Sequence, residues 1–263
     1  MDAARGEGEQ GCCAKTKCCR RLPSARTVQY THVVLRSALQ QAVREVRILL
    51  KAARPHRLYP LWPVMVSTGL RRGEVLALTW DDIDLTTGRL RVRRNLQRIR
   101  RELIFGTPKT ARSVRTLSLP KRCVSALREH REQQLKERAA AGLKWDPLPH
   151  QPNGLVFTTV TGRPTDPRSL NRMLTVLCRQ AKVRRVRVHD LRHTCASMLL
   201  AQGVDARTLM ETLGHSAITM TLDLYAHVMD TTLQEAANRM DDALGEDESG
   251  DDDDGSAGVH AVA

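Results

Sequence analysis

Six residues spread over about 155 positions carry the side chains needed to move a phosphate ester. Arg71 stands in Thr68-Gly-Leu-Arg71-Arg-Gly-Glu74, Lys109 in Thr107-Pro-Lys109-Thr110, and His189 and Arg192 in His189-Asp-Leu-Arg192-His193-Thr194. His215 stands in Leu213-Gly-His215-Ser216 and Tyr225 in Leu224-Tyr225-Ala-His227. Cleaving a phosphodiester without water needs a nucleophile, an acceptor for its proton, a donor for the leaving oxygen, and cations around the transition state. The Tyr225 phenol can attack; its ordinary pKa of about 10 means that nearby cations must help it ionise. Arg71 and Arg192 can clamp the two non-bridging oxygens, because a guanidinium fork matches phosphate geometry and keeps its charge. His189 precedes Arg192 by three residues, so both project from one face of a helix. Lys109, just after Pro108 at a turn or strand edge, can serve as general acid to the leaving 5′ oxygen. His215 follows Gly214, whose place suits a helix C-cap and would hold the ring at a rigid junction.

Singly, each of these residues is ordinary. An arginine in a basic protein usually sits on the surface, a tyrosine in a helix is usually half-buried, and His193 and His215 could be structural. His189 and His193 also have the i, i+4 spacing of a zinc pair, but the metalloprotease form needs Glu after the first His, and Asp190 stands there. The ordered set is what is specific.

These residues must be positioned by regular elements. Apolar residues recur at three- and four-residue steps from Arg26 to Ala53, which predicts one long amphipathic helix or two broken near Glu45, stopped by Pro55. Residues 61–69 read as an apolar helix running into Gly69, followed by another from Arg72 to Leu78 and a turn over Trp80–Asp84. Leu85 to Leu119 reads as β, with turns at Gly88 and Gly106 and partial alternation through Leu90-Val92 and Val114-Thr116-Leu119. Lys121 to Ala141 is helical, with Val124, Leu127, Leu135 and Ala139 expected inward. Pro147, Pro149 and Pro152 mark a linker, and Leu155–Thr158 a short extended piece. Helices are expected from Asp166-Pro167 to about Ala181, from His189 to Gly203, from Asp205 to Gly214, over 218–228 bearing Tyr225, and over 231–244.

The 263 residues suffice for one large domain or two small ones. Lys and Arg number 42 against 29 Asp and Glu, a net charge of +13. Residues 246–254 alone hold seven acids; without them 42 bases face 22 acids, a net of +20. Such an excess points to a polyanion, most often nucleic acid. Aromatic residues make up only 3% of the chain, too few for base-stacking platforms that grip single strands, so duplex DNA held through its phosphates is the expected partner. There is no apolar run of membrane-spanning length and no signal-peptide core, so the expected location is the cytoplasm, where thiols stay reduced. Four of seven cysteines form Cys12-Cys13 and Cys18-Cys19, an adjacency awkward for a tetrahedral metal site, and no metal is expected. Cys123, Cys178 and Cys195 fall in apolar helical patterns and read as core fillers.

The order Arg, Lys, His-x-x-Arg, His, Tyr resembles the catalytic domain of tyrosine recombinases of the phage-integrase type. The likeness covers roughly residues 48–244 and is tightest in HDLRHTCASMLLAQGVDARTLMETLGHSAITMTLDLYAHV. It implies a mainly α fold with a small antiparallel β-sheet (α+β). It also implies a site-specific recombinase that cuts and rejoins duplex DNA in the integration and recombination of a phage or mobile element. On that resemblance Tyr225 forms a 3′-phosphotyrosine and releases a 5′ hydroxyl, while Arg71 and Arg192 activate the phosphate. His189 assists proton transfer, Lys109 protonates the leaving oxygen, His215 hydrogen-bonds the phosphate, and Glu74 supports Arg71 by orienting it. Bond energy is kept in the phosphotyrosine, so no cofactor is implied. The implied assembly is a homotetramer on DNA through the C-terminal helix 231–244, with accessory DNA-bending or directionality factors.

The expected organisation is a disordered Cys-rich segment over 1–24, a helical remnant over 25–47 that resembles the end of a core-binding domain, the catalytic domain over 48–244, and an acidic disordered tail over 245–263. The Cys-rich start resembles nothing in the family. Two other functions compete: a truncated, catalytically impaired DNA-binding remnant of an integrase, and a type IB topoisomerase. The closeness of the Tyr225 segment to integrases argues against the topoisomerase.

Overall fold

The structure is a computed structural model that describes residues 24–107, 113–214 and Met240. The chain divides into two compact units, Met1–Ile218 and Thr219–Ala263. Of the second unit only Met240 is described, helical and exposed.

Helix α1 (Ala25–Ala53) begins where the Ser24 hydroxyl accepts from the Thr27 amide at 3.2 Å, and it runs without a break past Glu45. Tyr30, Val33 and Val34 in its first half are exposed, whereas Val46, Leu49 and Ala53 enter the core. Helix α2 (Leu61–Thr68) is buried almost all round, as its apolar run from Leu61 to Val66 requires. It ends at Gly69, whose φ of 62° is the left-handed conformation that glycine adopts without a Cβ penalty. Helix α3 (Arg72–Leu76) follows at once, and a 3₁₀ turn over Trp80–Asp82 leads into the sheet.

Three antiparallel strands, β1 (Ile83–Asp84), β2 (Arg89–Val92) and β5 (Arg115–Ser118), lie in the order β1-β2-β5. Strands β3 (Asn95–Ile99) and β4 (Glu102–Gly106) form a separate hairpin. Leu90 and Val92 are buried as expected. In β5 the phase differs from the sequence reading: Val114 and Thr116 are exposed, while Leu117 faces inward and Arg115 shares its side of the strand. A one-residue offset exchanges the two faces of a strand, and here it places an arginine on the inner one.

Helix α4 (Lys121–Ala141) also corrects an expectation. Leu127 is buried and Val124 packs partly on the core, but Leu135 is 59% exposed and Ala139 is exposed too. The buried row is Cys123, Ala126, Leu127, His130 and Gln134. The last two are inside because they complete the hydrogen bonding of the extended segment that follows. His130 Nε2 donates to the Val156 carbonyl at 2.8 Å. Gln134 Nε2 donates to the carbonyls of Leu155 and Val156, both at 3.0 Å, and its Oε1 accepts from Trp80 Nε1 at 2.7 Å.

Helix α5 (Pro167–Gln180) has Pro in its first turn and Asp166 as N-cap, accepting from the Arg168 amide at 2.8 Å. Helices α6 (Val188–Ala201) and α7 (Ala206–Leu213) follow, the latter capped by Asp205 and closed by Gly214 at φ 65°. One hydrophobic core joins α1, α2, α3, the sheet, α4, α5 and α6. Cys123, Cys178 and Cys195 are buried, free thiols, the first two within that core. Among the described residues no helix is long and apolar enough to cross a membrane. The expected helices over 218–228 and 231–244, apart from Met240, and Cys12, Cys13, Cys18 and Cys19 lie outside the described residues.

Candidate functional site

The α2–α3 junction presents Arg71. Gly69 turns the chain, Leu70 plunges into the core, and Arg71 takes an extended conformation as the residue preceding α3. Glu74, one turn on, secures it twice: Oε2 accepts from the Arg71 amide at 3.0 Å and Oε1 from Arg71 Nη1 at 2.8 Å. Glu74 is 4% exposed. Burial pulls its carboxyl pKa upward, but hydrogen bonds and charge from Arg115, then hydrogen bonds from Arg71, outweigh that pull and hold it below the ordinary value. Arg71 keeps a solvent-facing edge, while its Nη2 donates to the Gly214 carbonyl at 3.1 Å.

Arg192 reaches the same place from α6. It is 4% exposed and spends its fork on two carbonyls, Nη1 to Gly69 and Nη2 to Leu213, both at 2.6 Å. Burial, then the charge of Arg71, lowers its pKa to about 10, so at neutral pH it remains a cation. Arg115 completes the cluster. Its Nε donates to the Thr212 carbonyl at 2.9 Å and its Nη2 to Glu74 Oε2 at 2.9 Å. Thr212, Leu213 and Gly214, three successive carbonyls at the C-terminal end of α7, thus each accept from a different arginine. That end of a helix carries partial negative charge and favours cations. Three guanidiniums set against one carboxylate leave an excess of positive charge suited to a phosphate.

Sequence reasoning missed Arg115. The available signal was an arginine on the same side of β5 as the buried Leu117. His189 sits one turn before Arg192 on α6, but the shared face does not give the two residues a common environment: Arg192 is buried and His189 exposed. The His189 ring meets His193 edge-on, with centroids 4.8 Å apart. Partial burial, then the charges of His193 and Arg192, lowers the His189 pKa, which keeps the imidazole neutral and able to accept a proton at neutral pH. Asp190 is engaged with the Arg187 amide and guanidinium. Lys109, His215 and Tyr225 lie outside the described residues. In sequence, Lys109 falls between β4 and β5, and His215 directly follows Gly214.

A mainly α domain with small antiparallel sheets that gathers arginines at the end of α7 has the fold of a tyrosine recombinase catalytic domain. The XerA recombinase structure matches with a TM-score of 0.56 at 26% identity, covering 75% of this chain and 63% of that one. The Tn1549 transposon integrase, in complex with a circular intermediate DNA, shares the fold with a TM-score of 0.61 at 22% identity, covering 73% of this chain and 62% of that one. The phage integrase family model matches residues 27–232, and the chain belongs to that family. A tyrosine recombinase XerC-like protein of Caldanaerobacter subterraneus subsp. tengcongensis is 34% identical over 207 residues, covering 75% of this chain and 52% of the relative. The ICEBs1 integrase of Bacillus subtilis is 30% identical over 183 residues, covering 70% of this chain and 48% of the relative. The chain spans about half the length of the curated relatives it matches.

Proposed function

We propose that this chain carries the catalytic unit of a site-specific DNA recombinase that cuts and rejoins duplex DNA through a 3′-phosphotyrosine. The observation that carries this reading is the convergence of Arg71 and Arg192 on the end of α7, next in sequence to His215, with Glu74 ionised behind Arg71. Arg71 and Arg192 hold the two non-bridging oxygens and neutralise charge that grows on them. The Tyr225 oxygen attacks phosphorus and the bond from phosphorus to the 5′ oxygen breaks. His189 takes part in moving the phenol proton, Lys109 protonates the leaving 5′ oxygen, and His215 hydrogen-bonds the phosphate. The ester bond is conserved in the phosphotyrosine, so rejoining is the same displacement in reverse and calls for no metal or nucleotide.

The catalytic unit is assigned to 48–244, with 25–47 leading into it and 1–24 and 245–263 as flanking segments. Duplex DNA is the partner, attracted by the net charge of +13. Assembly is as a homotetramer on DNA through the helix at 231–244, with accessory DNA-bending or directionality factors in the integration and excision of a mobile element.

The test is covalent trapping. The protein is mixed with nicked duplexes taken from the ends of its own genomic element and run on a denaturing gel beside Tyr225→Phe. An adduct that forms with the native chain and vanishes in the variant is the expected result. An adduct that persists without the phenol removes Tyr225 from its role. Duplex binding with no adduct at all would replace the recombinase reading with that of a DNA-binding remnant.

A further inference from the structure

We infer that Arg115 is a positioning residue for the phosphate-binding arginines, acting through the Glu74 carboxylate and through the last turn of α7; the inference deepens the recombinase reading and rests on it. The side chain of Arg115 is 7% exposed. It donates to three separate parts of the chain. Nη2 meets Glu74 Oε2 at 2.9 Å and Nη1 meets Oε1 at 3.4 Å. Nε meets the Thr212 carbonyl at 2.9 Å, and Nη1 meets the Ser113 carbonyl at 3.1 Å. Each tie bears on a proposed catalytic group. Glu74 is the carboxylate that holds both the backbone and the guanidinium of Arg71. Thr212 belongs to the turn that ends at Gly214, immediately before His215. Ser113 is where the connection containing Lys109 returns to β5.

A buried guanidinium is expensive to desolvate, and apolar residues in place of both partners of a buried ion pair often hold a fold as well or better. Holding several groups in one register is the better account of its presence. Lysine cannot take its place: one ammonium on a flexible stem does not reach a carboxylate and two carbonyls in three directions. The packing leaves no slack, since a Cβ at Gly214 would lie 2.9 Å from Arg115 Nη1 and 3.0 Å from its Cζ. The part of Arg115 that grips Glu74 is thus also the surface on which the α7 cap rests.

The inference is tested with Arg115→Lys, which keeps the charge, and Arg115→Met, which keeps the volume. The measurements are single-turnover adduct formation at saturating nicked duplex, duplex Kd, and the ¹⁵N signals of the Arg71 guanidinium. Arg115→Lys is expected to slow adduct formation by about tenfold or more, the size of one lost charge-assisted contact. Duplex Kd should stay within about twofold, because the Arg115 side chain is 7% exposed and its donors are already engaged by Glu74, Thr212 and Ser113, and Arg115→Lys keeps the charge. In a Glu74→Gln background the Arg115→Lys effect should shrink, since both act on one carboxylate. The Arg71 guanidinium, held by Glu74 and the Gly214 carbonyl in the native chain, should show averaged signals in both variants. Native rates in Arg115→Lys, effects that multiply independently with Glu74→Gln, or unchanged Arg71 signals in a folded variant overturn the inference. If the native chain itself forms no adduct, the recombinase reading fails, and the Arg71 signals still decide whether Arg115 positions that arginine.

Discussion

Arg192 on α6 and Leu213 at the end of α7 are joined by one hydrogen bond, from Nη2 to the carbonyl oxygen at 2.6 Å. The last carbonyls of a helix have no partners within it and must be satisfied from outside. Here a neighbouring helix supplies a cation, and a second cation, Arg71, takes the next carbonyl along. The arginines are therefore part of the helix cap as well as candidates for binding phosphate. Stability and chemistry should respond together when either is changed.

Arg192→Lys tests that coupling. The guanidinium divides its fork between Gly69 and Leu213, whereas lysine satisfies one carbonyl and leaves the other short. An unsatisfied buried acceptor costs about 1–3 kcal/mol, and each kcal/mol lowers Tm by about 2–4 °C in a domain of this size. Adduct formation should fall about 10- to 100-fold with loss of the charge-assisted guanidinium contact to the phosphate. Calorimetry beside the trapping gel checks both. A variant with native Tm but no activity would show that the capping contacts carry no stability.

Where a residue's partners are close in sequence, they were legible. The family resemblance paired Glu74 with Arg71, Asp166-Pro167 and Asp205 announced their helices, and Gly69 and Gly214 marked the ends of α2 and α7. Arg115 was hidden because its partners Glu74 and Thr212 lie 41 and 97 positions away, and nothing local separates it from other arginines. The inner face of α4 was misread for a related reason. Hydropathy favours Leu135, but the carbonyls of Leu155 and Val156 need donors, and His130 and Gln134 provide them. Burial there follows hydrogen bonding rather than apolar area.

Glu74 gives the cluster a signature in acid. Its folded pKa lies below the ordinary 4.5, so its contribution to stability is fully present above that value and is lost as pH falls through the folded pKa. Glu74→Gln should be less stable than the native chain by about 1.5–3 kcal/mol at pH 7, the worth of hydrogen bonds to a charged group. The gap should narrow once the native carboxylate is itself protonated. Urea denaturation of both proteins at neutral pH and well below 4.5 reads the gap. A gap of constant width would mean that the Glu74 charge adds nothing beyond its shape.

His130 acts in the opposite range. It is 4% exposed, stacks on Phe157, and burial lowers its pKa below the ordinary 6.5. As pH falls below 6.5 the unfolded chain takes up this proton before the folded one, so stability declines with acidification. One such proton changes stability by at most about 1.4 kcal/mol per pH unit. His130→Gln keeps a donor for the Val156 carbonyl but cannot titrate, so its stability should vary less than that of the native chain between pH 7.5 and 5.5 (a span of about two units around the imidazole range). Parallel curves for the two proteins would assign the acid sensitivity to other histidines.

Gly73 sets two effects of known size against each other. In an exposed helix, Gly→Ala is favourable by about 0.8–1 kcal/mol. In α3, however, a Cβ at Gly73 would sit 1.9 Å from Asn95 Oδ1 and 2.5 Å from the Leu96 carbonyl oxygen. The asparagine side chain can rotate away, but the carbonyl belongs to the backbone of β3 and cannot. Overpacking of this kind costs about 1–3 kcal/mol, so sterics should win and Gly73→Ala should lower Tm. Since α3 begins with Arg72 and holds Glu74, its displacement from β3 should also move the Arg71–Glu74 pair and slow adduct formation more than it weakens duplex binding. Arg72→Ala, at an exposed neighbouring position, is the control and should change stability by no more than about 0.5 kcal/mol. A Tm for Gly73→Ala at or above the native value would show that α3 and β3 can separate freely, and that their contact does not fix the position of Arg71.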